Sequence, residues 1–341
     1  MKTLGVGIVG TGWVSDEYIK AFSKHEHCEV IGICSRDAQR ARNKIAEHKL
    51  ANGEAFTDLS AMIQQNGLDV AVICTPHHLH VEQGVACAQA GKHVIVEKPI
   101  AIDIAGVRRL DQAIRAAGVK SIVSFVLRWN PMFDNIRAML DRKVIGDIFY
   151  AEVDYLHGVG PWYRIWEWMR KSEFGGSAIL AGGSHAVDGL RWFVQDEAVE
   201  VTAYSNRSRS NPLQYEYSPN TVTLVRFAGG AIGKVACTLE CRMPYVFNVE
   251  LFGDKGSIRN NKLFTTELPG QNDWATIPAI QPDSGDVSHH PFQQEVNHFV
   301  ECIENNVESH ANVADAAKTH EICMAADLSA AEGRPVKLPL P

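Results

Sequence analysis

The run Gly5-Val-Gly-Ile-Val-Gly10-Thr11-Gly12-Trp13-Val14-Ser15 passes from an apolar strand through a glycine-punctuated turn into a helix. Gly10 allows a tight exit from the strand, Gly12 removes the side chain where a pyrophosphate must approach the main chain, and the first N–H groups of the helix bind the anion. Ser15 stands where the dinucleotide fingerprint prefers Gly or Ala and is still small enough for helix-on-strand packing. Gly10, Thr11, Gly12, Trp13 and Val14 are the candidate cradle. The next strand ends in Ser35-Arg36-Asp37, the position that faces an adenosine ribose. A carboxylate there accepts from both hydroxyls of NAD, whereas Ser and Arg accommodate a 2′-phosphate. Ser35 and Arg36 favour NADP, with Arg36 on the adenine face or in solvent as the plainer reading, and Asp37 keeps NAD open. The expected cofactor is NADP or NAD.

Two further motifs follow strands at their carboxyl ends, the edge where open α/β sheets bind ligands: Thr75-Pro76-His77-His78-Leu79-His80 and Glu97-Lys98-Pro99. Pro99 restricts Lys98 to an extended backbone and aims its side chain. Beyond Arg128, the segment Trp162-Tyr163-Arg164-Ile-Trp166-Glu167-Trp168 offers aromatic faces flanked by charged groups. Such faces suit the C–H surface of a sugar, or serve as plain packing or an oligomer contact. In Phe174-Gly175-Gly176-Ser177-Ala-Ile-Leu-Ala181-Gly182-Gly183-Ser184-His185-Ala-Val-Asp188, the His and Asp are three apart and share a helical face. A helical His followed by apolar residues is either a proton acceptor or a satisfied core residue.

The elements that must position these groups are legible from periodicity. Val14, Tyr18 and Phe22 form the apolar stripe of a helix lying on a sheet. Strands are expected at 29–34, 70–74, 93–97 and 121–126, alternating with helices at 58–65, 79–90 and 103–117. That alternation implies parallel pairing with right-handed crossovers, hence an open doubly wound sheet. Later, a helix over 132–142 leads to a strand at 148–156. Strands at 199–205, 221–227, 231–239 and 247–252, with glycine turns between them, read as an antiparallel meander. A loop from Pro269 to Gly285, with His289 and His290 as a lead-in, precedes a helix beginning at Pro291, an alanine-rich helix from Ala314 to Glu332 and a short tail. The 341 residues are too many for one typical core, so two domains are expected, 1–126 and 127–341.

Bulk composition narrows the partners. Net charge is −7, from 33 basic and 40 acidic residues without a basic run, which argues against nucleic acid or an anionic membrane as partner. No eighteen-residue apolar span is present and Met1 leads directly into the first strand, so the reading is cytoplasmic. The eight cysteines are scattered through apolar segments as reduced thiols, and Cys237 and Cys241 have no second pair to complete a zinc site, so no metal is expected.

The run Gly91-Lys-His-Val-Ile-Val-Glu97-Lys98-Pro99, with Thr75-Pro76 and His80 upstream and G-x-G near the start, resembles the glucose-fructose oxidoreductase/inositol dehydrogenase (Gfo/Idh/MocA) family over nearly the whole chain. The resemblance implies an N-terminal Rossmann domain and a C-terminal α/β domain with a large open, mainly antiparallel sheet that often mediates oligomerisation, here as a homodimer or homotetramer. It also implies NAD(P)-dependent hydride transfer at a secondary hydroxyl of a sugar, sugar derivative or cyclitol. Lys98 would contact substrate and nicotinamide ribose, and His185 would act as general base. Arg128, Trp162, Tyr163, Arg164 and Asp188 are the candidate substrate contacts; Thr75, Pro76, His77, His80, Glu97 and Lys98 join Ser35, Arg36 and the glycine turn as cofactor contacts. The chain departs from the family pattern twice. His77 replaces the usual Asn, and Ala181 replaces the usual aspartate four residues before the histidine. Asp188, Tyr163 or a substrate hydroxyl are the groups available to orient His185 instead. Two other activities stay open: glycoside cleavage with retained cofactor, and a regulator that binds nucleotide and sugar without turnover.

Overall fold

The computed structural model describes residues 2–279, 282 and 290–341. The chain divides into two compact units, one of Met1–Val126 with Pro291–Ala317, the other of Leu127–His290 with Lys318–Pro341.

In the first unit, strands β1 (Leu4–Val9), β2 (Cys28–Cys34), β3 (Glu54–Phe56), β4 (Leu68–Ile73), β5 (His93–Val96) and β6 (Ser121–Val123) form one sheet in the order β3-β2-β1-β4-β5-β6. Every pairing is parallel. The strands read as unbroken apolar runs because both faces are covered: Val6, Ile8, Ile33, Val70, Val72, Val94 and Ile95 are all fully buried. The crossovers are α1 (Trp13–Lys24), α2 (Ala38–Glu47), α3 (Leu59–Ile63), α4 (His80–Gln89) and α5 (Ile104–Ala117). Three start at aspartate caps that satisfy orphan amides: Asp37 accepts from Gln39 N at 2.8 Å, Asp58 from Ser60 N at 3.0 Å and Asp103 from Gly106 N at 2.7 Å. Sheet edge β3 is too short and polar to announce itself in the sequence.

The second unit holds a nine-stranded sheet of β7 (Ile148–Leu156), β8 (Ala198–Asn206), β9 (Asn220–Phe227), β10 (Ile232–Thr238), β11 (Val246–Gly253), β12 (Gly256–Arg259), β13 (Lys262–Thr265), β14 (Ala275–Thr276) and β15 (Val336–Lys337). The expected meander needs a correction. The earlier strand β7 sits between β10 and β11, parallel to β10, and every other pairing is antiparallel. Two expected coil stretches also contribute: β14 lies inside the expected 269–285 loop, part of which is outside the described residues together with His289, and the C-terminal tail adds β15 to β8. One face of this sheet is buried and the other is not, so β9 alternates Thr221, Thr223, Val225 and Phe227 inward with Val222, Leu224 and Arg226 outward. Helices α6 (Pro131–Asp141), α7 (Trp166–Met169), α8 (Ser172–Gly175), α9 (Ala178–Ala181) and α10 (Ser184–Val194) follow, α10 lying on β7 and β10.

The domain expectation is corrected at one place. Helix α11 (Phe292–Glu304) and the start of α12 (Val313–Glu332) belong to the first unit, although the chain has built most of the second by then. The reason is packing. Phe292, Val296, Phe299 and Val300 turn a buried stripe to the core, Phe292 meets the Tyr18 ring edge-on at 5.0 Å, and the returning strand of chain gives β6 a hydrogen bond from Val123 N to Ala311 O of 2.8 Å. Phe299→Ala is therefore expected to cost about 3–5 kcal/mol of unfolding free energy in the full chain, the usual range for a buried phenylalanine. A loss below about 1 kcal/mol in a denaturant titration would show that α11 is only loosely attached.

Candidate functional site

The turn between β1 and α1 has the geometry of an anion cradle. Gly10 has φ +108°, and a Cβ there would lie 2.6 Å from the Cys74 carbonyl oxygen, so both conformation and space require glycine. Gly12 is different. It has φ −70°, is exposed, and a Cβ added to it would meet no protein atom nearer than the Cys74 oxygen at 3.9 Å. Nothing in the protein itself demands glycine at 12, whereas a ligand lying on the main chain would. Gly12 is also the N-cap of α1 and supplies no side-chain cap, in contrast to the aspartates of α2, α3 and α5. A helix start without a side-chain cap is where main-chain amides and the helix dipole favour an anion. Ser15, fully buried, donates to the Gly12 carbonyl at 2.5 Å, which accounts for a hydroxyl where the fingerprint has Gly or Ala. Thr11, Trp13 and Val14 are half-buried around the turn.

At the end of β2, the Ser35 and Thr11 hydroxyls lie 3.4 Å apart and Arg36 is exposed. Asp37 turns one carboxylate oxygen onto the start of α2, accepting from Gln39 N and, at 3.4 Å, Arg40 N.

The two motifs beyond β4 and β5 are tied together by His80. Its ring is fully buried, with Nδ1 2.8 Å from the Pro99 carbonyl oxygen and Nε2 2.7 Å from that of Thr75. Burial, the largest influence, pushes its pKa down, against the two carbonyls that favour the protonated ring. His80, read from sequence as a cofactor contact, is in place as a strut between the Thr75-Pro76 and Lys98-Pro99 turns. His77 is also buried, its ring 5.8 Å from that of His80. Glu97 and Lys98 are half-buried, and Glu97 accepts the Lys98 main-chain N–H at 3.2 Å.

In the second unit, His185 lies one residue into α10 and is buried. The Tyr155 ring runs almost parallel to it, 20° apart with centroids separated by 6.3 Å. Gly182 admits that ring, since a Cβ there would meet Tyr155 Cε1 at 2.6 Å. Tyr155 Oη is 3.1 Å from His157 Nδ1, and His157 in turn meets Tyr163 at 5.4 Å and Tyr245 at 5.1 Å. Burial holds the Tyr155 phenol well above its ordinary pKa, so it stays a hydroxyl. Tyr155, His157 and Tyr245 were not singled out from sequence, where Tyr155 reads as one more residue of an alternating strand. Upstream, Ser177 caps α9 and donates to Asp327 at 2.6 Å; burial pushes that carboxyl up to about 6.

Other expected contacts are placed differently. Asp188 is buried and its carboxylate is gripped by the Arg128 guanidinium at 2.8 and 2.5 Å, with Thr319 donating at 3.0 Å. Arg128 is equally buried and lies over the Trp192 ring. Arg128 and Asp188, both expected at the substrate, are thus ion-paired with each other in the interior of the second unit. The aromatic segment splits: Trp166 is in the core, Tyr163 and Trp168 pack against it, and Trp162 and Arg164 are exposed, Trp162 by 69 %. Among the described residues one group, Asp16, Glu47 and His48, brings metal-ligand atoms within 4.8 Å of one another, but Lys44 Nζ already lies 2.5 Å from Asp16.

Two family models match this chain: an oxidoreductase family with an NAD-binding Rossmann fold over residues 4–125, and the GFO/IDH/MocA C-terminal domain over residues 133–259. The chain belongs to the Gfo/Idh/MocA oxidoreductase family. Within the family it is 24% identical over 309 residues to scyllo-inositol 2-dehydrogenase (NAD(+)) of Bacillus subtilis, covering 90% of this chain and 88% of that one. It is 25% identical over 355 residues to D-apiose dehydrogenase of Paraburkholderia graminis, covering 99% and 90%. Its fold matches that of levoglucosan dehydrogenase in complex with NADH with a TM-score of 0.88 at 22% identity, covering 100% of both chains. No helix among the described residues is long and apolar enough to cross a membrane.

Gly12→Ala provides a direct test of the cradle. Unfolding free energy is expected to fall by no more than about 1 kcal/mol, the scale of a changed helix cap. NADH affinity, followed by nucleotide fluorescence, is expected to fall at least tenfold, about 1.4 kcal/mol or more. Unchanged NADH binding would remove the cradle.

Proposed function

We propose that this oxidoreductase is an NAD(P)-dependent dehydrogenase acting on a secondary hydroxyl of a sugar, sugar derivative or cyclitol. The observation that carries the reading is Gly12, a glycine at an uncapped helix start for which the protein has no packing need. The activities of similar proteins, an inositol and an apiose dehydrogenase, support the substrate class.

Bound nicotinamide supplies the hydride acceptor, and the amides of Gly12 to Val14 with the α1 dipole hold its pyrophosphate. His185 takes the proton of the substrate hydroxyl. Tyr155, lying along the imidazole, fixes the plane in which that proton is received, in place of the carboxylate lost at Ala181. Lys98 stabilises the developing oxyanion by its ammonium charge and a donated hydrogen bond. The exposed Trp162 and Arg164 are the members of the aromatic segment available to a sugar. At the ribose, Asp37 is engaged in capping α2 while Arg36 is exposed beside the half-buried Ser35, which supports a place for a 2′-phosphate and thus NADP beside NAD.

The sheet of the second unit supports a homodimer or homotetramer. Its uncovered face sets Tyr204 (78 % exposed) beside Val222 on the paired strand, with Leu224 and Ile232 nearby, more apolar surface than a face in water favours. Leu224→Asp is expected to lower the mass measured by sedimentation towards that of one chain; an unchanged mass would remove this face from the assembly.

The reading is tested by following reduced-nicotinamide absorbance with NAD and NADP separately, against free sugars, glycosides, sugar acids and inositols. Wild type is expected to reduce nucleotide with at least one of these, and Lys98→Ala to lower turnover at least a hundredfold, about 2.7 kcal/mol of transition-state stabilisation. Near-wild-type turnover in the variant would sink the role of Lys98. Nucleotide binding without reduction across the panel would favour a regulator, and release of aglycone without net reduction a glycosidase that retains its cofactor.

A further inference from the structure

Behind the Glu97-Lys98-Pro99 turn lies a closed polar cluster drawn from four separate stretches of the first unit. Tyr18 of α1 and Glu295 of α11 are fully buried, and Ser124, just after β6, is 1% exposed. The Tyr18 hydroxyl lies 2.7 Å from Ser124 Oγ, 3.2 Å from Glu295 Oε1 and 3.4 Å from Glu97 Oε1, and Ser124 Oγ lies 3.3 Å from Glu295 Oε2. Counting hydrogens constrains the cluster. The two hydroxyls bring one hydrogen each to these contacts, while two ionised carboxylates would bring none and would place two anions around a single dry hydroxyl. A carboxyl that keeps its proton removes one of the two anions and adds a third hydrogen to the cluster.

Which carboxyl carries it follows from the neighbours. Burial pushes the Glu97 carboxyl up as well, but the Lys98 ammonium, with the Lys98 N–H that Glu97 accepts, opposes it. Glu295 has no such cation among its influences; it faces Tyr18, Ser124, Glu97 and the Cys74 thiol at the end of β4, itself pushed well up by burial. Burial first, and the Glu97 charge second, push Glu295 up to about 8.

We propose that Glu295 is a positioning residue for Lys98, keeping its carboxyl proton within the Tyr18–Ser124 cluster so that Glu97 remains the cluster's one carboxylate and holds the Lys98 main chain. The inference rests on the reading of Lys98 as a residue that contacts nicotinamide and substrate. Ionisation of Glu295 puts a second negative charge against Glu97, competes for the same hydroxyls and loosens the turn.

The experiment uses the full chain as wild type, Glu295→Gln and Lys98→Ala, and measures thermal midpoint and NADH affinity against pH. Folded Glu295 keeps its proton up to about 8, whereas the unfolded chain releases it near 4.5, so between those values the folded state binds the extra proton. Stability from this group is complete at the acid end and lost as pH rises through that window. Glu295→Gln has no proton to lose, so its midpoint relative to wild type is expected to rise from about pH 5 to about pH 8 and then level off. Wild-type NADH affinity is expected to fall about fivefold between roughly pH 7 and 9, and that of Glu295→Gln less than about twofold.

Parallel midpoint curves would overturn the proton on Glu295. A midpoint difference with superimposable NADH profiles, in a protein whose Lys98→Ala variant binds NADH weakly, would overturn the positioning role and leave a structural one. A Lys98→Ala variant that binds NADH like wild type would instead overturn the reading of Lys98, and the positioning role with it, while the midpoint difference persists and tells the two failures apart. If the glutamine variant does not fold, Tyr18→Phe withdraws a hydrogen bond that favours ionised Glu295 and is expected to move both transitions to higher pH; unmoved transitions overturn the proposal.

Discussion

The amides at the start of α1 are the constraint on which the first unit is built. An anion bound by main-chain N–H groups needs them unpaired, uncovered and all pointing one way, and a helix start at the carboxyl edge of a parallel sheet is where a chain can present them together. The sheet order follows from that need. Strand β1 is central, β2 and β4 flank it, and the turns after β1, β2, β4 and β5 lie along the same edge. At α2, α3 and α5 an aspartate caps the helix start; at α1 a glycine stands there and no side chain caps it.

The turns along that edge then have to be held rigid without blocking it, and the protein does so from behind. His80 bridges two turns through their carbonyls, and Tyr18, itself bonded to Ser124 and Glu295, meets Glu97 from the interior. Polar groups buried in this way are stiff only while every hydrogen is placed, because an unmatched donor or acceptor in a dry pocket costs more than a hydrogen bond returns. In the second unit the buried Arg128–Asp188 pair performs the equivalent task. Two hydrogen bonds from the guanidinium and one from Thr319 fix Asp188, hence the rotation of α10 on which His185 stands. Such a pair adds little net stability over an apolar substitute but strongly penalises any arrangement that separates its members.

Much of this was legible in the sequence wherever function is encoded by neighbours along the chain. The glycine turn and the alternation of strands and helices are local signals, each placed by residues that act within a turn of themselves. The parallel insertion of β7, the two-residue strands β14 and β15, and the return of α11 to the first unit are decided by contacts far apart in sequence, for which a strand of alternating residues gives no address. The site divides the same way. Gly12 declares itself, but His80 as a strut, Asp188 as the partner of Arg128, and Tyr155 and His157 beside His185 depend on ring positions that spacing alone cannot supply.

The late return of α11 makes the first unit discontinuous, and the consequence reaches the chemistry. Residues 1–126 contain every turn of the cradle and the Lys98 motif, yet they lack Glu295 and the apolar stripe that covers Tyr18 and Phe22. In such a fragment the Tyr18 ring loses its contact with Phe292, and the Tyr18 and Ser124 hydroxyls lose their buried partner, so water enters behind Glu97. A carboxylate solvated from behind no longer has a reason to keep one position. The dinucleotide fold is therefore complete in topology at residue 126 but not in electrostatics, and the segment at 291–317 completes it only after most of the second sheet has been made.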